Sequence, residues 1–216
     1  MTNYMTDAEL KKFSTYKHIA PKTTFEKFYV EKLLVPVEKH LFPKSWSANT
    51  ITLLGQIPMF LFVLYLWFFH NLTMREPIPD SMYVYAAIFL QWFSLNDCMD
   101  GMRARRTKSG SPLGRIIDEA IDQLAYACIG CLVGYLLRVE PGMWLFSIGL
   151  VNVPFYAMEI RHYYCKDFVM IVGELGPVEV ELIYSMIFVF SGIYIGGDGY
   201  DKSFAQVSGI ENNLLA

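Results

Sequence analysis

The chain has 216 residues, 54% of them hydrophobic and 18% charged, an apolar share above the roughly 45–50% of soluble domains. The net charge of −3, with no basic patch standing alone, leaves no electrostatic footprint for nucleic acid. A lipid-spanning helix needs roughly 20 mostly apolar residues, and five stretches qualify: 50–69, 82–99, 116–137, 142–160 and 179–196. Five such stretches exceed what the core of a soluble helical protein needs. The expected fold is all-α: a polytopic membrane bundle of about five transmembrane helices, preceded by an amphipathic interfacial helix.

In chain order, residues 1–23 form a polar extension with scattered lysines and no apolar stretch, which is not the pattern of a cleavable signal peptide. Residues 24–46 follow as the interfacial segment. In "TTFEKFYVEKLLVPVEKHLF", helical spacing puts Phe25, Phe28, Tyr29, Leu33, Leu34, Val37 and Leu41 on one side. Lys27, Glu31, Lys32, Glu38 and Lys39 fall elsewhere, as in a helix lying in the membrane surface or packed on a partner subunit. Pro36 is expected to kink or break it. Residues 47–197 make up the transmembrane domain and 198–216 a solvated tail.

The first span, "TITLLGQIPMFLFVLYLWFF", contains no charge. The loop at 70–81 has turn residues and a formal glycosylation sequon at Asn71-Leu72-Thr73, set too close to the bilayer for ready use. Fifteen of the eighteen Lys and Arg fall before the first span, between the second and third, or between the fourth and fifth. By the positive-inside rule those segments share the cytoplasmic-equivalent face, and the C-terminal tail emerges opposite. Cys128 and Cys131 form a C-x-x-C inside the third span without a second pair or a histidine nearby. Core packing is the expectation there, rather than zinc or redox chemistry.

The third span opens with Asp118, Glu119 and Asp122, and the second ends on Asp97 and Asp100. Carboxylates at such depth must face a polar cavity, one another or a metal. Asp97 and Asp100 are three apart and Asp118 and Asp122 four apart, so each pair shares a helix face. Two antiparallel helices joined by a short loop can aim both pairs into one cleft. Four crowded carboxylates repel one another unless a cation intervenes, and an oxygen-only donor set suits Mg²⁺, Mn²⁺ or Ca²⁺. Gly101 and Gly114 leave the backbone bare for a bulky ligand, and Arg105 and Arg106 offer forked donors for phosphate oxygens. A pyrophosphate-containing substrate fits these parts. The plainer possibility is that the aspartates form salt bridges to Arg103, Arg105, Arg106 and Arg115.

The spacing Asp97-x-x-Asp100-Gly101-x-x-Ala104-Arg105, eight residues, then Gly114-x-x-x-Asp118-x-x-x-Asp122 resembles the signature of the CDP-alcohol phosphotransferase (CDP-alcohol phosphatidyltransferase) family at every specified position. "ARRTKSGSPLG" and "GPVEVE" look like the eukaryotic choline and ethanolamine phosphotransferases. "SANTITLLG" is similar to the family's Pro-Asn-x-Ile-Thr approach to the first span, with Ala48 where the family has proline. The likeness runs over residues 17–197.

That resemblance implies a membrane enzyme that moves phosphocholine or phosphoethanolamine from CDP-choline or CDP-ethanolamine to diacylglycerol, releasing CMP. It implies two Mg²⁺ or Mn²⁺ ions held by Asp97, Asp100 and Asp118 with Asp122 near them. Gly101, Ala104 and Gly114 would line the nucleotide pocket, Arg105 would hold phosphate, Asn49 would touch the CDP moiety, and the acceptor would enter sideways from the bilayer. The aminoalcohol enzymes have His directly after the third aspartate, where this chain has Glu119, so deprotonation falls to Asp122 or Glu119. The same motif serves enzymes that use CDP-diacylglycerol. Those aminoalcohol enzymes are also longer, which raises another possibility, an accessory subunit of a larger, for example mitochondrial, membrane complex. The resemblance implies the endoplasmic reticulum, with the mitochondrial inner membrane as the alternative, and a homodimer unless the chain serves such a complex.

Overall fold

The computed structural model describes residues 21–43, 45–70, 78–138, 141–165, 171 and 173–195. The extension at 1–20, the sequon at 71–73 and the tail at 198–216 lie outside them. Every element among the described residues is a helix: α1 (Thr24–Phe28), a π-helical stretch (Tyr29–Leu34), α2 (Val35–Leu41), α3 (Ala48–Phe69), α4 (Asp80–Thr107), α5 (Pro112–Leu137), α6 (Pro141–Cys165) and α7 (Pro177–Phe190). A second π-helical stretch, Ser191–Ile195, continues α7. The protein is an all-α integral membrane protein. Ala48–Phe69, Pro112–Leu137 and Pro177–Tyr194 are each long and apolar enough to cross a bilayer. Leu61, Phe68, Ile88, Leu145, Phe146 and Met186 point outward and are exposed, an apolar surface suited to hydrocarbon rather than water. With 28 residues, α4 extends about 42 Å, beyond the roughly 30 Å of the hydrocarbon core. Its polar last turns therefore reach the boundary.

Helix α3 packs on both α4 and α5, whereas α4 and α5 touch each other sparingly. A cleft is left between the two aspartate-bearing helices, with α3 as its back wall. The approach of α3 to α4 is set by Gly55: a Cβ there would lie 2.7 Å from the Cβ of Asn96. The main core joins Met59, Phe62 and Leu66 of α3 to Leu90 and Phe93 of α4 and Cys128, Leu132 and Tyr135 of α5. Cys128 and Cys131 are buried free thiols, as expected of core residues.

Segment 24–41 is helical throughout, and Pro36 does not break it. The π-helical turn at Tyr29–Leu34 widens the backbone before the proline, which sits in the first turn of α2, where its missing N–H is not needed. Phe25, Phe28, Leu33, Val37 and Leu41 form an exposed apolar stripe, as the pattern predicts. Leu34 instead turns inward with Val30 and packs against Ile51, Met99 and Met102, with Tyr29 half-buried beside them. Glu38, expected on the polar side, is also buried at 2% exposure. It lies one turn after Leu34 on the inward face and meets Arg103 and Arg106 there.

Candidate active site

Helix α4 continues without a break through the whole Asp97–Arg105 stretch and ends at Lys108, whose φ of 55° closes the helix in the left-handed region. Three residues later Ser111 caps α5, its Oγ accepting from the Gly114 N–H at 3.0 Å, with Pro112 in the first turn. This tight reversal brings both aspartate pairs together. Carboxylate oxygens of Asp97, Asp100 and Asp118 all lie within 4.8 Å of one another. Asp122 is beside them, its carboxyl paired with that of Asp97, while that of Asp118 is paired with Asp100.

At the outer end of the cleft, Asn49 and Gly114 converge: a Cβ on Gly114 would sit 3.5 Å from Asn49 Oδ1. The Arg105 guanidinium folds over Gly101, 3.3 Å from where a Cβ would be. Ala104 is half-buried on the same helix, and its carbonyl accepts from the Ser109 N–H at 3.0 Å. Glu119 is ion-paired with Arg115 at 2.5 Å. Arg106 is not turned to the cleft. Its Nη2 and Nε donate to the two oxygens of Glu38 at 2.7 and 3.1 Å.

Among the described residues Arg103 and Arg106 pair with Glu38 and Arg115 with Glu119, while Arg115 also lies in electrostatic range of Asp118. The close ion pairs of these arginines are thus made with glutamates, not with the aspartates. Asp118 Oδ1 and Asp122 Oδ1 are buried and without a hydrogen-bond partner. Buried oxygens left unsatisfied beside like charges are costly. A divalent cation with oxygen ligands would satisfy them, so the donor set fits Mg²⁺ or Mn²⁺.

The model of the CDP-alcohol phosphatidyltransferase family matches residues 45–200. This chain belongs to that family. The matched region contains all four aspartates and the helices that carry them. Among curated members, an uncharacterised CDP-alcohol phosphatidyltransferase class-I family protein 2 of Dictyostelium discoideum is 32% identical over 71% of this chain and 37% of its own length. Cholinephosphotransferase 1 of Rattus norvegicus is 32% identical over 68% of this chain and 37% of its own. Choline/ethanolaminephosphotransferase 1 of Arabidopsis thaliana is 27% identical over 77% and 42%. The alignments thus take in about two fifths of each relative's length.

Three further residues at or beside the aspartate cluster of this CDP-alcohol phosphatidyltransferase-family member are not singled out by the sequence. Thr52 donates its hydroxyl to Asp100 Oδ2 in the buried wall. It stands in the same "NTIT" stretch that carries the resemblance, one turn before Gly55, whose bare backbone lets α3 come close enough for so short a side chain to reach. Glu181, in "GPVEVE", is buried on α7 at 6% exposure, accepts a hydrogen bond from Ser94 and lies in electrostatic range of Asp97 and Asp122. Glu179, two residues earlier, points elsewhere. Its Oε2 accepts from the Gly176 N–H at 2.9 Å and its Oε1 from the Thr23 hydroxyl, so it caps α7 and ties down the start of α1. Glu38 is the third.

Proposed function

We propose that this protein transfers phosphocholine or phosphoethanolamine from a CDP-alcohol to diacylglycerol, releasing CMP. The observation that carries this reading is a cleft at the end of two membrane helices where four carboxylates converge, flanked by bare glycine backbone, Arg105 and Asn49. In this scheme Asp97, Asp100, Asp118 and Asp122 would hold Mg²⁺ or Mn²⁺. When bound, the metal supplies neutralisation of the pyrophosphate charge and a better CMP leaving group.

The protein's own side chains do the rest. Gly101, Ala104 and Gly114 admit the nucleotide, Asn49 contacts its CDP moiety, and Arg105 holds a phosphate through its forked N–H groups. Asp122 or Glu119 takes the proton from the acceptor hydroxyl. The freed oxygen forms a bond to the phosphorus that bears the alcohol while the bond from that phosphorus to the CMP oxygen breaks. Positioning the three atoms in line is the main task of such a site. An apolar groove of about 660 Å³ between α4 and α7, lined by Ala87, Trp92, Leu95, Met186 and Val189 among others, opens sideways two residues from Asp97. It suits the acyl chains of a lipid acceptor.

The test is CMP release by the full chain in lipid with CDP-choline, CDP-ethanolamine or CDP-diacylglycerol in turn. Release with the first two in the presence of diacylglycerol supports the reading. Release with CDP-diacylglycerol alone replaces it by a phosphatidyl transfer, for which the same aspartates serve. No release from folded protein with any donor would favour an accessory membrane subunit.

A further inference from the structure

The last turns of α4 pose an electrostatic problem. Arg103 is three residues from Asp100, on the same helix face, and is fully buried at 0% exposure. At low dielectric a buried guanidinium is drawn strongly to the nearest carboxylate, and Asp100 stands one turn before Arg103 on the same helix. An arginine seated on Asp100 would occupy the oxygens a metal needs. Arg103 does not sit there. Its Nε is 2.6 Å from Glu38 Oε1, and its Nη2 donates to the Phe42 carbonyl at 3.2 Å. Arg106 shares the same carboxylate, whose hydrogen bonds hold its guanidinium above even its ordinary high pKa.

We propose that Glu38 is a positioning residue that sequesters Arg103 and Arg106 on the interfacial helix and so keeps the α4–α5 aspartates available to a divalent cation. The inference rests on the metal-binding reading given above. The sequestration is built in from both sides. Val30, Leu34 and Phe42 pack with Ile51, Met99 and Met102 and fix the Glu38 backbone against α4. The apolar stripe of Phe25, Phe28, Leu33, Val37 and Leu41 faces away from the protein, so the helix that holds the arginines also contacts the lipid. Removing the Glu38 charge leaves Arg103 buried and uncompensated, and Asp100 is its nearest alternative partner along the helix.

The measurement is Mn²⁺ binding by the full chain in lipid nanodiscs, read from the electron-spin signal of free Mn²⁺, which needs no turnover. Glu38→Gln is expected to weaken Mn²⁺ binding by about tenfold, the scale of outer-shell effects on metal affinity. The double variant Glu38→Gln/Arg103→Gln is expected to return to within about twofold of the unmodified protein, because the buried competing cation is gone and Arg106, with 38% of its side chain exposed, stays solvated. A purely structural role for Glu38 predicts the opposite, a double variant as weak as the single or weaker. Arg103→Gln alone provides the check if Glu38→Gln does not fold, and it should bind Mn²⁺ as the unmodified protein does. Normal binding by Glu38→Gln, no recovery in the double variant, or weakened binding by Arg103→Gln would each overturn the proposal while leaving the metal site intact. Absence of Mn²⁺ binding by the unmodified chain would overturn the metal reading and this inference together.

Discussion

Two charge clusters lie about a turn apart at the same end of the protein and are built on opposite plans. In one, Glu38 meets Arg103 and Arg106 with every distance at 3.1 Å or less, so one carboxylate holds two guanidiniums and the interfacial helix is fastened to α4. In the other, Asp97, Asp100, Asp118 and Asp122 are gathered carboxylate against carboxylate. Paired buried charge holds architecture together, and breaking it costs about 3–5 kcal/mol because a lone charge remains. Converging like charge does the reverse. It costs folding energy unless a cation offsets the repulsion, and in the proposed function that cation is the divalent metal.

The largest effect should come from the unpaired cluster. Asp100→Asn is expected to abolish tight Mn²⁺ binding and to lower CMP release by about a thousandfold, while its thermal unfolding midpoint stays level or rises as repulsion is relieved. Gly55→Ala should follow. A methyl placed 2.7 Å from Asn96 Cβ must push α3 from α4, costing about 1–3 kcal/mol and separating Thr52 from Asp100. Gly130→Ala makes an informative control, since its methyl would meet Ile148 at 2.8 Å on the α5–α6 contact. It should destabilise by a similar amount and leave CMP release in the surviving protein unchanged. A comparable loss of activity in both would mean that overpacking anywhere in the bundle disables the site.

Thr52→Val keeps the volume and deletes the hydroxyl, and should weaken Mn²⁺ binding by about tenfold with little change in stability. The smallest effect belongs to Cys131→Ser in the core. It places a hydroxyl among Cys128, Leu132 and Tyr135 for about 1–3 kcal/mol, measured by thermal unfolding, and CMP release should be unaltered.

The aspartate cluster was legible in the sequence because helix geometry fixes it locally. Spacings of three and four put each pair on a face, and the short turn through Ser111 and Pro112 does the rest. The outward stripe from Phe25 to Leu41 was legible for the same reason. What periodicity does not encode is which charged residue on a wheel is solvated and which is matched by a neighbour distant in sequence. Glu38 reads as one more polar residue until Arg103 and Arg106, more than sixty positions later, are seen against it. Thr52 and Gly55 likewise look like ordinary members of an uncharged span. Their part depends on where α3 crosses α4, a tertiary fact. Glu181 had only the family likeness of "GPVEVE" to point to it, and nothing in that stretch separates it from Glu179, which caps a helix.

The central claim is that the four aspartates form a divalent-metal site for transfer from a CDP-alcohol. Its most direct test is CMP release by the purified full chain in lipid, with diacylglycerol and either CDP-choline or CDP-ethanolamine, as Mg²⁺ or Mn²⁺ is removed with chelator and restored. The account predicts release that stops with chelation, returns with metal, and is absent in Asp100→Asn. Release that persists in chelator, or that Asp100→Asn retains, would contradict it.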